Sequence, residues 1–505
     1  CRDSGFSADD LAQILALTPE PQIWVRDLCE EAKRREQSSP EETPEEAFAG
    51  SRVLHTLGSG VLKCSELAKS NGGTPLFGSL SPELLDWLRK HGLQPSDHAD
   101  VRSWAVRAQS AAFDALRHTI VASGTRRQGP LQNSLRSDEI VWGRAPARLD
   151  LAGGWTDTPP YSLEYGGAVL NAAVLLNGQP PVQVYARVVP EPMIRVRSID
   201  LGTHLDMHCW DDLFDYSSAV GEFSLVKGAL VSSGFTPTAG SSRNRTLREI
   251  LLAFGGGIEI TTLAAVPKGS GLGTSSIMGA VLVAVIHRML GQRLSGAELF
   301  HAVLRLEQEL TTGGGWQDQI GGTVGGLKLI TAPSGLVPEA AIRYVPADVL
   351  DPALNGGCTL LYYTGMTRLA KNILQNVVGR YLDRDREAMS VLSQLGSLAT
   401  CMAEAASRKD LPQFGRLIDT AWQLNQKLDP HSTTEEIDRL LGRIGPHIHG
   451  AKLLGAGGGG FLLLVCRSSG DALEIRQQLE TAPPNPRARF FEFESSAKGL
   501  EISVC

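Results

Sequence analysis

Two acidic residues, Glu307 and Asp318, stand on either side of the run Gly313-Gly314-Gly315-Trp316-Gln317. The first falls on a helix whose start is written in Ser295 and Glu298, a capping box, and whose apolar stripe is Leu299, Val303, Leu306 and Leu310. Glu307 lies on the flank of that stripe rather than on the opposite, solvated face. A carboxylate so placed either reaches past the stripe to water or ligates a hard cation such as Mg²⁺. Asp318 follows three glycines, where the backbone can fold tightly around a ligand. It would either orient and deprotonate a hydroxyl or cap a turn.

Two glycine-rich loops bracket this pair. The first is Pro267-Lys268-Gly269-Ser270-Gly271-Leu272-Gly273-Thr274-Ser275-Ser276, between a predicted strand at Gly257 to Leu263 and an apolar helix. Strand, glycine loop and helix N-terminus in that order let backbone N–H groups approach a phosphate, with hydroxyls in reach of a metal. The alternative is a plain turn. No Gly-Lys-Ser/Thr ends the loop, so it is not a Walker A sequence, and no His-Arg-Asp or Asp-Phe-Gly accompanies it as in protein kinases. The second loop, Lys452-Leu453-Leu454-Gly455-Ala456-Gly457-Gly458-Gly459-Gly460-Phe461, contains a GxGxxG match, but the apolar run after it reads as a strand. A dinucleotide fingerprint needs a helix there, so a loop meeting a ligand or another loop with bare backbone fits better.

The elements that must hold these loops are of two textures. Residues 7 to 33 and 52 to 123 carry helical apolar spacing, separated by a charged, proline-containing run from Arg34 to Glu46 that reads as a solvated linker with few contacts across it. That first quarter shows no chemistry. From Glu139 onward the pattern is α+β, with strands such as Pro181 to Val189, a surface loop at Ser232 to Arg245, and a strand, helix, strand, strand ending. The terminal elements are Gly460 to Cys466, Asp471 to Glu480, Ala488 to Glu494 and Leu500 to Val504. At 505 residues the chain calls for two or three packed units. A formal charge of −7 offers no basic footprint for nucleic acid or an anionic membrane, and the apolar helix at Ile277 to Leu290 is interrupted by His287 and Arg288. The eight cysteines are scattered without metal-ligand spacing, as reduced cytoplasmic thiols are. The start at Cys1 reads as a fragment boundary rather than a signal peptide.

With Ala145-Pro146-Ala147-Arg148-Leu149-Asp150-Leu151-Ala152-Gly153-Gly154-Trp155-Thr156-Asp157 as the first motif, the Pro267 loop as the second and the Lys452 loop as the third, the chain resembles the GHMP kinases. This is the family of galactokinase, homoserine kinase, mevalonate kinase and phosphomevalonate kinase. The phrases running from Leu149 to Tyr161 and from Thr311 to Gln319 resemble its fucokinase branch, in particular the carboxy-terminal half of the animal members. The resemblance spans roughly residues 139 to 505. It implies an α+β, two-lobed GHMP kinase fold with an amino-terminal helical appendage: 1–135 appendage, joining the kinase to a further amino-terminal domain; 136–335 first lobe with ATP loop and sugar motif; 336–505 second lobe.

It also implies roles. Asp318 would be the catalytic aspartate and Arg148 the cation near the transferring phosphate. Pro267 through Ser276 would bind ATP. Ser275 and Glu307 would ligate Mg²⁺, while Asp157, Trp155, Gly154, Gly457 and Gly458 would meet the sugar. The substrates would be MgATP and L-fucose, phosphorylated at the anomeric hydroxyl for GDP-fucose salvage. Neither nucleic acid nor membrane enters, and a homo-oligomer is compatible. A heptose 7-phosphate kinase and a sugar sensor without turnover are the alternatives. The former needs extra cations, for which Arg368 is a candidate, and the latter should lack Glu307 or Asp318.

Overall fold

In the computed structural model Ser7 opens the first helix by a reciprocal cap, its hydroxyl accepting from Asp10 N (3.3 Å) while the Asp10 carboxylate accepts from Ser7 N (2.8 Å). The structure describes residues 7–18, 21–36, 49–68, 86, 89, 101–122, 131–216, 221, 223–238, 244–310, 313–335, 337, 339–366 and 370–505. Helices Ala8–Leu17, Pro21–Glu36, Ala49–Ala68 and Val101–Ala122 turn their apolar stripes on one another. Leu11, Leu15, Val25, Leu54, Leu57 and Trp104 form a small core of their own there. Most of the expected linker lies outside the described residues, and the helix before it runs on to Glu36.

The expectation of few contacts across that linker is corrected by the packing. Ala8 N–H donates to Asp383 O at 3.0 Å, and Leu11 and Leu15 are part of the same core as Trp104. An amphipathic helix must bury its stripe, and helix Ala49–Ala68 offers the surface. From the far end of the bundle, Leu116 and Ile120 enter the largest core of the protein beside Leu163, Val378 and Tyr381.

Among the described residues three sheets follow. One has six strands in the spatial order Glu501–Val504, Val141–Ala145, Val182–Val189, Gly257–Ala264, Ile194–Ser198 and Thr203–Met207. Helix Thr274–Met289 packs across its Val141–Ala145 and Val182–Val189 strands, and Gly143 permits that approach, since a Cβ there would lie 2.5 Å from Val285. The second sheet places Gly167–Leu176 between Leu327–Ala332 on one side and Ala147–Ala152 with Phe493–Ser495 on the other, and Ala341–Val345 extends it. The third orders Ile448–Leu453, Phe461–Cys466, Thr359–Tyr363 and Arg489–Phe491.

Helix Arg386–Ser407 packs on the second sheet and on helix Leu411–Leu428, which covers the third. The sheets therefore form one body, with lobes of mixed helix and strand as the α+β expectation requires. The chain end crosses between lobes: Phe493–Ser495 and Glu501–Val504 return to the sheets built by the first lobe, where their backbone groups complete an edge. Strand and helix bounds near the end match the expected ones closely, except that Ala488 to Glu494 is broken into Arg489–Phe491 and Phe493–Ser495, which pair with different sheets. No described helix is long and apolar enough to cross a membrane. Cys29, Cys209, Cys358, Cys401, Cys466 and Cys505 are free thiols.

Candidate active site

Strand Ala147–Ala152 is buried along its whole length, yet it carries Arg148 and Asp150. Such charges persist inside only when paired. Arg148 reaches Asp318 Oδ1 at 2.7 Å through Nε and through Nη2, and its Nη1 donates to Gly271 O at 2.7 Å. Burial works against the guanidinium charge, but Asp318 outweighs it, and the Arg148 pKa is raised. Asp318 sits in the first turn of helix Gln317–Thr323, where the N-terminal end of the helix favours a negative charge. One residue thus grips both the aspartate and the glycine loop.

That loop turns through left-handed backbone at Gly269, Gly271 and Gly273 (φ 66°, 81° and 71°). Gly273 precedes helix Thr274–Met289 without any side-chain cap, so the first N–H groups of the helix are left for a ligand. Ser270 Oγ and Thr274 Oγ1 are buried with no hydrogen-bond partner among the described residues, which suits anionic oxygens as the missing acceptors. Ser276 donates a short hydrogen bond to Glu307 Oε1. Ser275 is exposed and lines the same cavity, as do Gly269 through Ser276 generally, while Lys268 is solvent-exposed and neither it nor Pro267 reaches the lining.

Asp157 and Glu307 face this loop. Asp157 Oδ2 accepts from Gln317 N at 3.1 Å, and its Oδ1 is buried without a partner among the described residues. Burial, with the charge of Asp318 next, pushes the Asp157 pKa up to about 7. Burial pushes Glu307 up to about 8 against the opposing bond from Ser276, with Asp318 and Asp157 adding to the rise. The glycine run exists because these carboxylates press on the backbone: a Cβ at Gly315 would lie 2.1 Å from Asp157 Oδ2, and one at Gly314 2.6 Å from Glu307 Oε2.

The resulting cavity, of about 340 Å³, is lined by Arg148, Asp157, Glu307 and Asp318 with the glycine loop. Its acidic groups outnumber its one guanidinium, so a cation is the natural complement. Among the described residues no set of three His, Cys, Asp or Glu side chains surrounds a metal site. A hard cation such as Mg²⁺ commonly takes one or two protein oxygens and shares the rest with phosphate and water, and Glu307 beside the serine hydroxyls fits that donor set. Trp155, in a left-handed conformation (φ 79°), lines the cavity and also packs on the largest core, so it serves both as wall and as scaffold. Gly154 lines it too, with Asp150 against its backbone.

The third loop buttresses the second. Phe461 N–H donates to Ser270 O at 3.0 Å, and Gly455 lies so close to Gly271 that a Cβ would be 2.9 Å from its Cα. Gly455 and Ala456 line the cavity, whereas Gly457 and Gly458 pack against Ser432 and lie outside it. Lys452 is buried and donates to Asp150 Oδ2 and O, both at 2.8 Å, tying the third motif to the first. Sequence reasoning gave no role to Asp150 or Lys452, although each lies inside a quoted motif, and it placed Ser276 with the ATP loop without its bond to Glu307. A second cavity of about 260 Å³, lined by Phe113, Arg117, Pro159, Gln308 and Leu374, separates helix Val101–Ala122 from the site, and Leu374 lines both.

Residues 243–326 match the family model for the GHMP kinases N terminal domain, and residues 402–485 match that for the GHMP kinases C terminal domain. The chain is 42% identical over 395 residues to an L-fucokinase/L-fucose-1-P guanylyltransferase of Bacteroides fragilis, covering 78% of this chain and 42% of the relative. It is 36% identical over 338 residues to a bifunctional fucokinase/GDP-fucose pyrophosphorylase of Arabidopsis thaliana, covering 66% of this chain and 30% of the relative. The chain thus spans less than half the length of these curated relatives. Among solved structures, galactokinase of Lactococcus lactis complexed with galactose superposes with a TM-score of 0.54 at 17% identity, over 72% of this chain and 95% of that one. That likeness concerns the fold.

Proposed function

We propose that this chain, in which segments match both the N-terminal and the C-terminal GHMP kinase domains, transfers the γ-phosphoryl group of MgATP to the anomeric hydroxyl of L-fucose, giving fucose 1-phosphate. The observation that carries the reading is the convergence of the glycine loop, the Arg148–Asp318 pair and Asp157 on one cavity, in a chain 42% identical to a relative named as an L-fucokinase.

In this reading the loop N–H groups and the hydroxyls of Ser270 and Thr274 take the phosphate oxygens. Phosphoryl transfer needs placement and neutralised oxygens more than covalent help. Glu307, with the Ser275 hydroxyl as a second ligand, would hold Mg²⁺, which would neutralise phosphate charge when bound. The short bond from Ser276 holds Glu307 in place beside it. Arg148 stays cationic at any working pH and lies within reach of both Asp318 and the loop, so it positions the nucleophile's partner and the phosphate cradle at once. Asp318 is the more exposed member of that pair, at 25% against 4% for Arg148, and it orients the sugar hydroxyl and accepts its proton late in transfer. Asp157 holds a ring hydroxyl through its unpartnered Oδ1. Trp155 packs near the C6 methyl.

An ADP-release screen with L-fucose, D-galactose, D-arabinose and heptose 7-phosphate tests this. L-fucose should give the highest kcat/KM. Turnover confined to heptose 7-phosphate would overturn the assignment of the sugar, and no turnover of any of them would overturn the kinase reading.

A further inference from the structure

Three buried polar residues lie in register across the second sheet: Asp150 opposite Asn171, and Asn171 opposite Lys328. They come from three separate strands and are 2%, 0% and 0% exposed. Residues directly opposite on adjacent strands share a face, and on this face lies helix Gln317–Thr323, which carries Asp318. Asn171 Nδ2 donates to Gln317 O at 3.2 Å, at the start of that helix. Lys328 Nζ donates to Gly321 O at 3.0 Å, in its last turn, and to Gly326 O at 3.2 Å in the connection that follows.

We infer that Asn171 and Lys328 are positioning residues, a two-point clamp that holds the Asp318 helix at a fixed height and rotation over the sheet. The inference rests on the catalytic role given to Asp318. A helix of two turns has little stability alone, and this one has no side-chain N-cap, so its place must come from tertiary contacts. Gly321 brings it down onto the sheet: a Cβ there would lie 2.9 Å from Arg148 Cβ and 2.9 Å from Asn171 Nδ2. Clamp, Arg148 and helix are thus in mutual contact, and a shift of the helix would move Asp318 relative to the guanidinium that pairs with it.

Lys328 is the telling member. Lys452, the other buried lysine of this region, has Asp150 as counter-ion. Lys328 has backbone carbonyls as its acceptors and faces no carboxylate among the described residues; burial alone acts on it and lowers its pKa to about 7. An apolar side chain at this position would be buried at lower cost. A lysine kept there serves geometry, since its long stem and several donors span two carbonyls that no apolar group could hold. Through Asp150 the row continues to Lys452, so the first and third motifs and the catalytic helix share one buried polar line.

The test compares Lys328→Met and Asn171→Ala with wild type and with Asp318→Asn as control. Steady-state kinetics in both substrates are measured alongside thermal melting. A clamp predicts kcat lowered on the order of 10-fold to 100-fold in Lys328→Met, as for a displaced catalytic group. KM for MgATP should stay within about twofold, and the melting temperature should be equal or higher, because methionine removes a buried amine. Asn171→Ala should show the same split in kcat and KM. Wild-type kcat in both variants, with Asp318→Asn inactive, would overturn the clamp and leave the kinase reading intact. Loss of melting temperature in step with activity in both variants would also overturn it, in favour of a purely structural role. If Asp318→Asn itself turns over like wild type, the catalytic assignment falls, and the clamp with it.

Discussion

The helical region before residue 122 and the cleft around Asp318 are stabilised in opposite ways. In the first, the buried interior is Leu11, Leu15, Val25, Leu54, Leu57 and Trp104, and polar groups serve mainly as caps and ties to the body, such as His55 Nδ1 with Asp383 Oδ1 at 2.8 Å. In the second, Arg148, Asp150, Asp157, Glu307, Lys328 and Lys452 are all buried within one neighbourhood. Burying charge disfavours folding unless each charge is met by another, and Asp157 and Glu307 are left with raised pKa values by that burial. The contrast teaches that the cleft is arranged for a ligand and the bundle for packing. Changes in the cleft should therefore fall on turnover, and changes in the bundle on stability.

The largest separation should come from Asp318→Asn. It keeps the side-chain shape but removes the charge and basicity, so kcat should fall on the order of 10²-fold to 10⁴-fold while MgATP affinity, measured by calorimetry, stays within about twofold. A melting temperature that collapsed with it would break the contrast. Leu54→Ala addresses the other side: deleting most of a fully buried side chain in the small core should cost about 2–5 kcal/mol in denaturant unfolding, with kcat unchanged well below the transition. If kcat fell instead, the bundle would belong to the site.

Trp155→Ala sharpens the contrast at a residue that belongs to both wall and core. Contact with the sugar methyl predicts that kcat/KM falls more for L-fucose than for L-galactose, by about 1–3 kcal/mol of selectivity. Equal losses would leave the indole as scaffold. The smallest expected effect concerns pH. With the folded Lys328 pKa lowered to about 7, the unfolded chain holds a proton that the folded one lacks between that value and the ordinary lysine range. This group's contribution therefore makes stability rise with pH across the window, by at most about 1.4 kcal/mol per unit. Lys328→Met should flatten that rise relative to wild type in urea titrations at pH 7, 8 and 9, and parallel curves would show that the lysine is charged in the folded state.

Much of the cleft was legible because ligand chemistry demands particular residue types at fixed places along the chain. The capping box at Ser295 and the glycine loop ending in a helix at Thr274 are local arrangements, and they are where the sequence puts them. The carboxylates Glu307 and Asp318 do reach one cavity with Arg148 and Asp157. Asn171 and Lys328 were not legible, although a lysine between Leu327 and Leu329 is itself a signal, because their meaning lies in cross-strand register between segments far apart in sequence. The contacts of the first helix were missed for a related reason: a charged segment says nothing about where the helix before it docks.

What the sequence by itself determined is therefore what one segment can dictate: the left-handed glycines, the helix starts, the apolar stripes, and the supply of carboxylates and hydroxyls. Tertiary structure alone decided which of them meet. Neighbouring residues on a helix differ by roughly 100° in direction, so the placing of helix Thr274–Met289 puts Ser276 rather than Ser275 against Glu307. In the last loop, the close approach to Gly271 sets Gly455 at the cavity and leaves Gly457 beside Ser432. The raised pKa values of Asp157 and Glu307 follow from burial away from water and then from neighbouring charges, and the pairing of Arg148 with Asp318 from their approach in space, none of which a single stretch of chain specifies.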